Sequence, residues 1–313
     1  MARAFVFPGQ GSQAVGMGQA MAAAFPAARQ ALEEVDDALS QNLSRLMAQG
    51  PADELTLTEN AQPALMAVSL AVLRVLEAEA GVDMETSCKF VAGHSLGEYS
   101  ALAAARGLDI ADAARLLKRR GQSMQEAVPI GVGAMAALLG AELDQARELA
   151  ADAAQGDVCE TANDNADGQI VISGHKIAID RAIELAPERG IRRAIELPVS
   201  APFHCSLMQP AAEIMEQALG EIDVRRPVVP VIANVSAAEA TRPDDIRDLL
   251  VKQVTAMVRW RECVLAMRDA GVDTLVELGA GKVLTGLARR IDRDMTAISI
   301  EGPDDIEALV KIL

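Results

Sequence analysis

The segment Gly93-His94-Ser95-Leu96-Gly97 constrains this chain more than any other. An apolar run, Phe90-Val91-Ala92, leads into it. Ser100-Ala101-Leu102-Ala103-Ala104-Ala105 follows with the composition of a helix. Strand, Gly-x-Ser-x-Gly, helix is the context of a nucleophile elbow. Glycine on each side lets the backbone turn sharply without striking strand or helix. The serine hydroxyl is left at the tip, near the positive end of the helix dipole. The N–H of Leu96, directly after the serine, points where an oxyanion would form. Read without chemistry, the same residues are a glycine turn with Ser95 as an N-cap.

The 313 residues are 50% hydrophobic, enough for a large core in one big domain or in a big domain with an insertion. The net charge of −16 opposes nucleic-acid binding, because nothing supplies a broad field for phosphates. Cys88, Cys159, Cys205 and Cys263 are scattered, with neither zinc-site nor disulfide spacing. A reducing cytoplasm fits that usage, and no metal is expected. The first residues do not read as a signal peptide, and no apolar run of 18 residues suggests a membrane span.

Apolar strands alternating with amphipathic helices predict an α/β fold around a parallel sheet. Expected strands are 4–7, 88–92, 228–235, 274–278 and 296–300. Expected helices are 27–38, 63–80, 110–127, 210–219, 244–257, 261–270, 282–290 and 304–313. Between them, strands at 134–139, 158–162, 169–173 and 192–199 and helices at 142–154 and 176–188 follow the order β-α-β-β-α-β. That is a ferredoxin-like unit. The expectation is a hydrolase-like large domain, 1–127 and 200–313, with a ferredoxin-like subdomain, 128–199, inserted. Gln10, Ser95, Asn234 and Gly279 all fall just after strands, where open α/β sheets keep functional residues.

A serine nucleophile needs a base, and the chain has three histidines. His94 adjoins the serine, and neighbours at an elbow usually point apart. His175 opens a helix, where a surface turn is the plain reading. His204 lies in Ala201-Pro202-Phe203-His204-Cys205, a proline-stiffened junction back to the main domain, and is the candidate base. No carboxylate stands out as its orienter, which leaves a backbone carbonyl. Arg120 ends the run Lys118-Arg119-Arg120, which alone reads as a solvated helix face. Asn163 and Asn165 are ordinary turn formers, Gln10 could close a turn, and Gln253 could sit on a helix surface.

Further segments stand in order along the chain: Phe7-Pro8-Gly9-Gln10-Gly11-Ser12-Gln13, the elbow with Glu98-Tyr99, Arg120-Gly121-Gln122-Ser123-Met124-Gln125, Asn163-Asp164-Asn165, Ala201-Pro202-Phe203-His204, Gln253 to Trp260, and Gly279-Ala280-Gly281-Lys282-Val283-Leu284. Together they resemble the malonyl-CoA:acyl carrier protein transacylases of bacterial fatty-acid synthesis, over essentially the whole chain. Met257 and Ala280 replace prolines common in that family, and neither change removes a reactive group.

The resemblance implies the roles. Ser95 would be the nucleophile and His204 the base, oriented by the carbonyl near Gln253. The N–H groups of Gln10 and Leu96 would form the oxyanion hole. Arg120 would bind the malonyl carboxylate, His94, Asn163 and Asn165 would line the site, and Phe203 would crowd an α-methyl branch. Malonyl-CoA would be the substrate, with no bound cofactor. A phosphopantetheinylated acyl carrier protein would be the acceptor; an acidic carrier needs a local basic patch on this acidic chain, and the charge pattern offers Arg189, Arg192 and Arg193 or Lys282, Arg289 and Arg290. A monomer is the family expectation. A serine hydrolase and a non-catalytic carrier-binding protein are the competing classes.

Overall fold

In the computed structural model, which describes residues 2–310, the elbow lies in the middle of a sheet. Strand β1 (Arg3–Phe7) pairs in parallel with β2 (Phe90–Gly93), Phe7 opposite Gly93. That register sets the Gln10 loop beside Ser95, because both segments leave adjacent strands at the same level. On one side the sheet continues in parallel through β9 (Thr274–Leu278) and β10 (Thr296–Ile300). On the other it continues through β7 (Val231–Ala233), and β8 (Ala238–Ala240) closes that edge antiparallel. β2 and β9 are buried along their whole length, as in a parallel sheet covered on both faces.

The second sheet contains β3 (Gly133–Leu139), β4 (Cys159–Ala166), β5 (Gln169–His175) and β6 (Arg193–Glu196), in the spatial order β4-β5-β3-β6 with every pairing antiparallel. Helices Leu143–Ala154 and Lys176–Leu185 pack on it around Leu138, Leu149, Ile172 and Ile179. The α/β architecture with a ferredoxin-like unit therefore forms as the sequence implies.

Where elements differ from expectation, backbone hydrogen bonding explains it. The strand expected over 228–235 shrinks to β7, because Pro230 has no N–H to give the ladder. The strand expected over 192–199 ends at Glu196, ahead of Pro198. β4 runs four residues beyond 162, through Asn163-Asp164-Asn165, which are strand rather than turn. Its register against β5 shifts on each side of Asn163-Asp164. Its other edge is met by Val258: Asp164 N donates to Val258 O at 2.9 Å, and Val258 N to Ala162 O at 2.9 Å. Arg261 adds a side-chain clasp to the buried Asp164 carboxylate, Nε to Oδ2 at 3.0 Å and to Oδ1 at 3.2 Å. These bonds sew the small sheet to the large domain. The last described helix is Pro303–Val310, and residues 311–313 of the expected element lie outside the described residues.

The helix expected from Pro63 starts a turn earlier and spans Thr58–Ala80, 23 residues whose most apolar 18-residue stretch has mean hydropathy 1.4. By length and composition it could cross a membrane, which corrects the reading that no such segment exists. It is 83% buried inside the protein over its most apolar stretch, packed between helices Pro26–Leu39 and Ile110–Glu126. The approach to the second helix is close at Gly121, where a Cβ would lie 2.5 Å from the Glu59 Cα.

The elbow glycines are closer still. A Cβ on Gly93 would stand 1.9 Å from the Gly97 carbonyl, and one on Gly97 would stand 2.2 Å from the Phe7 carbonyl oxygen. Both contacts are with backbone, which cannot swing away. Gly97→Ala should therefore destabilise the fold by about 3 kcal/mol or more. Gly286→Ala, exposed within helix Val283–Ile291 with nothing within 4 Å of the added carbon, should stabilise by up to about 1 kcal/mol. Urea unfolding of both variants checks this; equal midpoints would refute the close-approach argument.

Candidate active site

Ser95 and His204 both hold left-handed backbone, with φ of 54° and 59°. Non-glycine residues there cost about 1–3 kcal/mol each, and such strain concentrates at functional sites. The two side chains meet: Ser95 Oγ is 2.7 Å from His204 Nε2. On the far side of the ring, Nδ1 is 2.8 Å from the main-chain oxygen of Gln253. A carbonyl only accepts, so the proton belongs on Nδ1 and the Nε2 lone pair faces the serine.

Arg120 is 1% exposed. It lies not on a solvated face but on the buried stripe of its helix, with Leu116, Leu117 and Met124. Its Nη1 donates to Gln62 Oε1 at 2.7 Å, and its Nη2 to Gln253 Oε1 at 3.0 Å and to Ser95 Oγ at 3.1 Å. All three acceptors are neutral. The Tyr99 ring faces the guanidinium at 5.6 Å, and the buried Nε–H has no partner among the described residues. An intact cation is thus held beside the serine with donor capacity to spare.

Gln253 is fully buried rather than on a helix surface. Besides its two acceptor roles, its Nε2 donates to Glu98 Oε2 at 2.8 Å, to Ser95 O at 3.1 Å and to Asn234 Oδ1 at 3.2 Å. Asn234 in turn accepts from Ser95 N at 2.8 Å and donates to Gly93 O at 2.8 Å, which locks both ends of the elbow. The N–H groups of Gln10 and Leu96 donate to no protein acceptor among the described residues. His94 turns away from the serine and meets Asn165 Oδ1 at 2.8 Å, with the Trp260 ring 5.8 Å away. Asn163, Asn165 and Phe203 line the same cleft of about 420 Å³ as Gln10, Ser95 and Arg120. His175 is elsewhere, with Nδ1 accepting from Val158 N.

Burial governs the titrations. It pushes His204 down to about 3, helped by the positive charge of Arg120. It lowers His94 as well, and raises the Glu98 carboxyl to about 7. Sequence reading passed over Thr58, Gln62 and Glu98 as site residues. Arg120 and Gln62 carried a usable signal, since each is a polar side chain at the apolar spacing of its helix, Gln62 with Leu65, Met66 and Leu70.

A model of the acyl transferase domain family matches residues 4–299. The chain is 45% identical over 311 residues to the malonyl CoA-acyl carrier protein transacylase of Bacillus subtilis, covering 99% of this chain and 96% of that protein. The crystal structure of an acyl-carrier-protein S-malonyltransferase from Bartonella henselae is similar at a TM-score of 0.97 and 54% identity, covering 100% of this chain and 99% of that one. A malonyl-transacylase in complex with a holo type II polyketide-synthase acyl-carrier protein matches at 0.97 and 40% identity, with 100% of each chain covered.

With its pKa held far below 6.5, His204 stays neutral, and so basic, until pH falls towards 3. Phosphonylation of Ser95 by a fluorophosphonate should keep its rate as pH drops from about 8 to about 5. A tenfold loss centred near 6.5 would mean an ordinary, solvated imidazole.

Proposed function

The chain belongs to the acyl transferase family whose domain model it matches over residues 4–299, and from that premise we propose a ping-pong malonyl transfer run by Ser95 and His204. The enzyme moves a malonyl group from malonyl-CoA to the pantetheine thiol of acyl carrier protein, for fatty-acid biosynthesis. One observation supports the malonyl specificity above others: Arg120, a buried cation 3.1 Å from the nucleophile, has only neutral hydrogen-bond partners. A charge so placed costs free energy unless an anion arrives to pair with it. The free carboxylate of a malonyl thioester, two carbons from the reacting carbonyl, supplies that anion, and a guanidinium can grip it through two parallel bonds.

In the first half-reaction Ser95 Oγ attacks the thioester carbonyl while its proton passes to His204 Nε2. The new imidazolium is steadied by Nδ1–H donating to Gln253 O. The tetrahedral oxyanion accepts from the N–H groups of Gln10 and Leu96. The C–S bond then breaks, CoA leaves with the proton from Nε2, and malonyl-Ser95 remains. In the second half the carrier thiol gives its proton to Nε2 and its sulfur attacks the ester. The C–O bond breaks, and Ser95 recovers its proton. One thioester is exchanged for another, so the balance calls for neither ATP nor a metal. Phe203, next to His204 in the cleft lining, disfavours an α-methyl branch, while His94, Asn163 and Asn165 line the same cleft.

The units of this reading are a large domain, 1–127 and 200–313, and a small one, 128–199, in a cytoplasmic monomer whose site comes from a single chain. The acidic surface leaves an acidic carrier few places to dock. We favour Lys282, Arg289 and Arg290, because a Cβ on Gly281 would lie 3.4 Å from Ser12 Cβ, in the loop at the cleft mouth. The alternative cluster already spends Arg189 on Asp152.

Intact-mass spectrometry with malonyl-CoA and no acceptor should show a malonyl adduct on the wild type and none on Ser95→Ala. Added holo carrier should discharge it; free malonate without an adduct would indicate a hydrolase. Arg120→Ala should reduce the malonyl-over-acetyl preference by about 10- to 150-fold, the equivalent of a charged hydrogen bond worth about 1.5–3 kcal/mol. An unchanged preference would remove Arg120 from that role. Arg289→Glu with Arg290→Glu should raise the carrier KM at low salt without slowing malonyl-enzyme formation; an unaltered KM would move the docking site elsewhere.

A further inference from the structure

Behind Arg120 runs a chain of hydrogen bonds that the transfer steps do not use. Arg120 Nη1 donates to Gln62 Oε1 at 2.7 Å, Gln62 Nε2 donates to Thr58 Oγ1 at 2.9 Å, and Thr58 Oγ1 donates to Gln10 Oε1 at 2.8 Å. Every donor points the same way, from the guanidinium towards the Gln10 loop. Such a sequence polarises cooperatively, each bond strengthening the next. Thr58 and Gln62 are each 1% exposed and stand one turn apart on the Thr58–Ala80 helix. The helix cannot drift from Arg120, because Gly121 abuts Thr58 O and the Glu59 backbone within 2.6 Å of where a Cβ would be. At the far end, Gln10 lines the cleft, its N–H without an acceptor among the described residues and its side chain tied to Thr58.

Resting on the malonyl-transfer reading, we propose that Thr58 is a positioning residue that couples carboxylate recognition at Arg120 to the placement of the Gln10 N–H. A carboxylate on the guanidinium competes for the charge that Nη1 lends to Gln62. The change passes through Thr58, whose hydroxyl accepts from one amide and donates to the other, to the residue that must hold the oxyanion. An acetyl thioester, with no carboxylate, leaves the chain as it is. Part of the malonyl preference is therefore expressed in the rate of acylation rather than in binding.

Single-turnover acylation of wild type, Thr58→Val and Thr58→Ser with malonyl-CoA and acetyl-CoA tests this. Valine keeps the shape and removes the hydroxyl. It should slow malonyl acylation about tenfold, with less than about a twofold change in malonyl-CoA affinity and in acetyl acylation. Serine should restore the malonyl rate. Thr58→Ala, which also deletes the hydroxyl, should repeat the valine result and serves if Thr58→Val does not fold. Equal slowing of both substrates, or no slowing in either variant, would overturn the coupling. A wild type that shows no malonyl preference would instead overturn the transfer reading on which the inference stands.

Discussion

Ser95 can hold a φ of 54° only because β2 ends and the next helix begins within backbone contact, across Gly93 and Gly97. The close approach does more than tolerate a strained serine. With Gly97 seated against the Phe7 carbonyl, the elbow is fixed relative to β1, and so relative to the loop that carries Gln10. Asn234, at the end of β7, then ties Ser95 N to Gly93 O from the other side. Three adjacent strand ends thus set the position of one hydroxyl, and the strain is held by groups that cannot relax independently.

Around that hydroxyl the buried charges are kept apart by amides. Gln253 stands between Arg120 and Glu98, accepting from the first and donating to the second. A direct ion pair would have neutralised the guanidinium. An intervening amide lowers the cost of burying the cation yet leaves it receptive. The same residue orients His204 through its main chain, so imidazole, arginine and serine share one reference point. Desolvation keeps the imidazole unprotonated, which suits a group that must begin the cycle as a base.

The layout of the sheets was legible because it rests on local signals: apolar runs ended by Pro8-Gly9, Gly93 and Gly279, and a β-α-β-β-α-β order that carries its own periodicity. The polar path Asn163-Asp164-Asn165 was not, because its strand character comes from partners on both edges, β5 on one side and Val258, nearly a hundred residues away along the chain, on the other. Arg120 looked solvent-facing in a run of three basic residues; only the helical phase shared with Leu117 and Met124 separates it from Arg119. Thr58 and Glu98 stayed hidden for another reason. Their meaning lies in whom they touch, and hydrogen bonds between distant segments leave no pattern in composition or spacing.

The seam at Val258 bears on how such a chain can be remodelled by recombination. The ferredoxin-like unit looks like a cassette, entered and left at one point of the large domain. Yet its edge strand is hydrogen-bonded to Val258, clasped by Arg261, and reaches His94 through Asn165. Exchanging that unit between relatives would transplant half of two interlocking surfaces. Successful chimeras would have to inherit the segment from Gln253 to Arg261 together with the insertion, so the heritable module is discontinuous and larger than its fold boundary suggests.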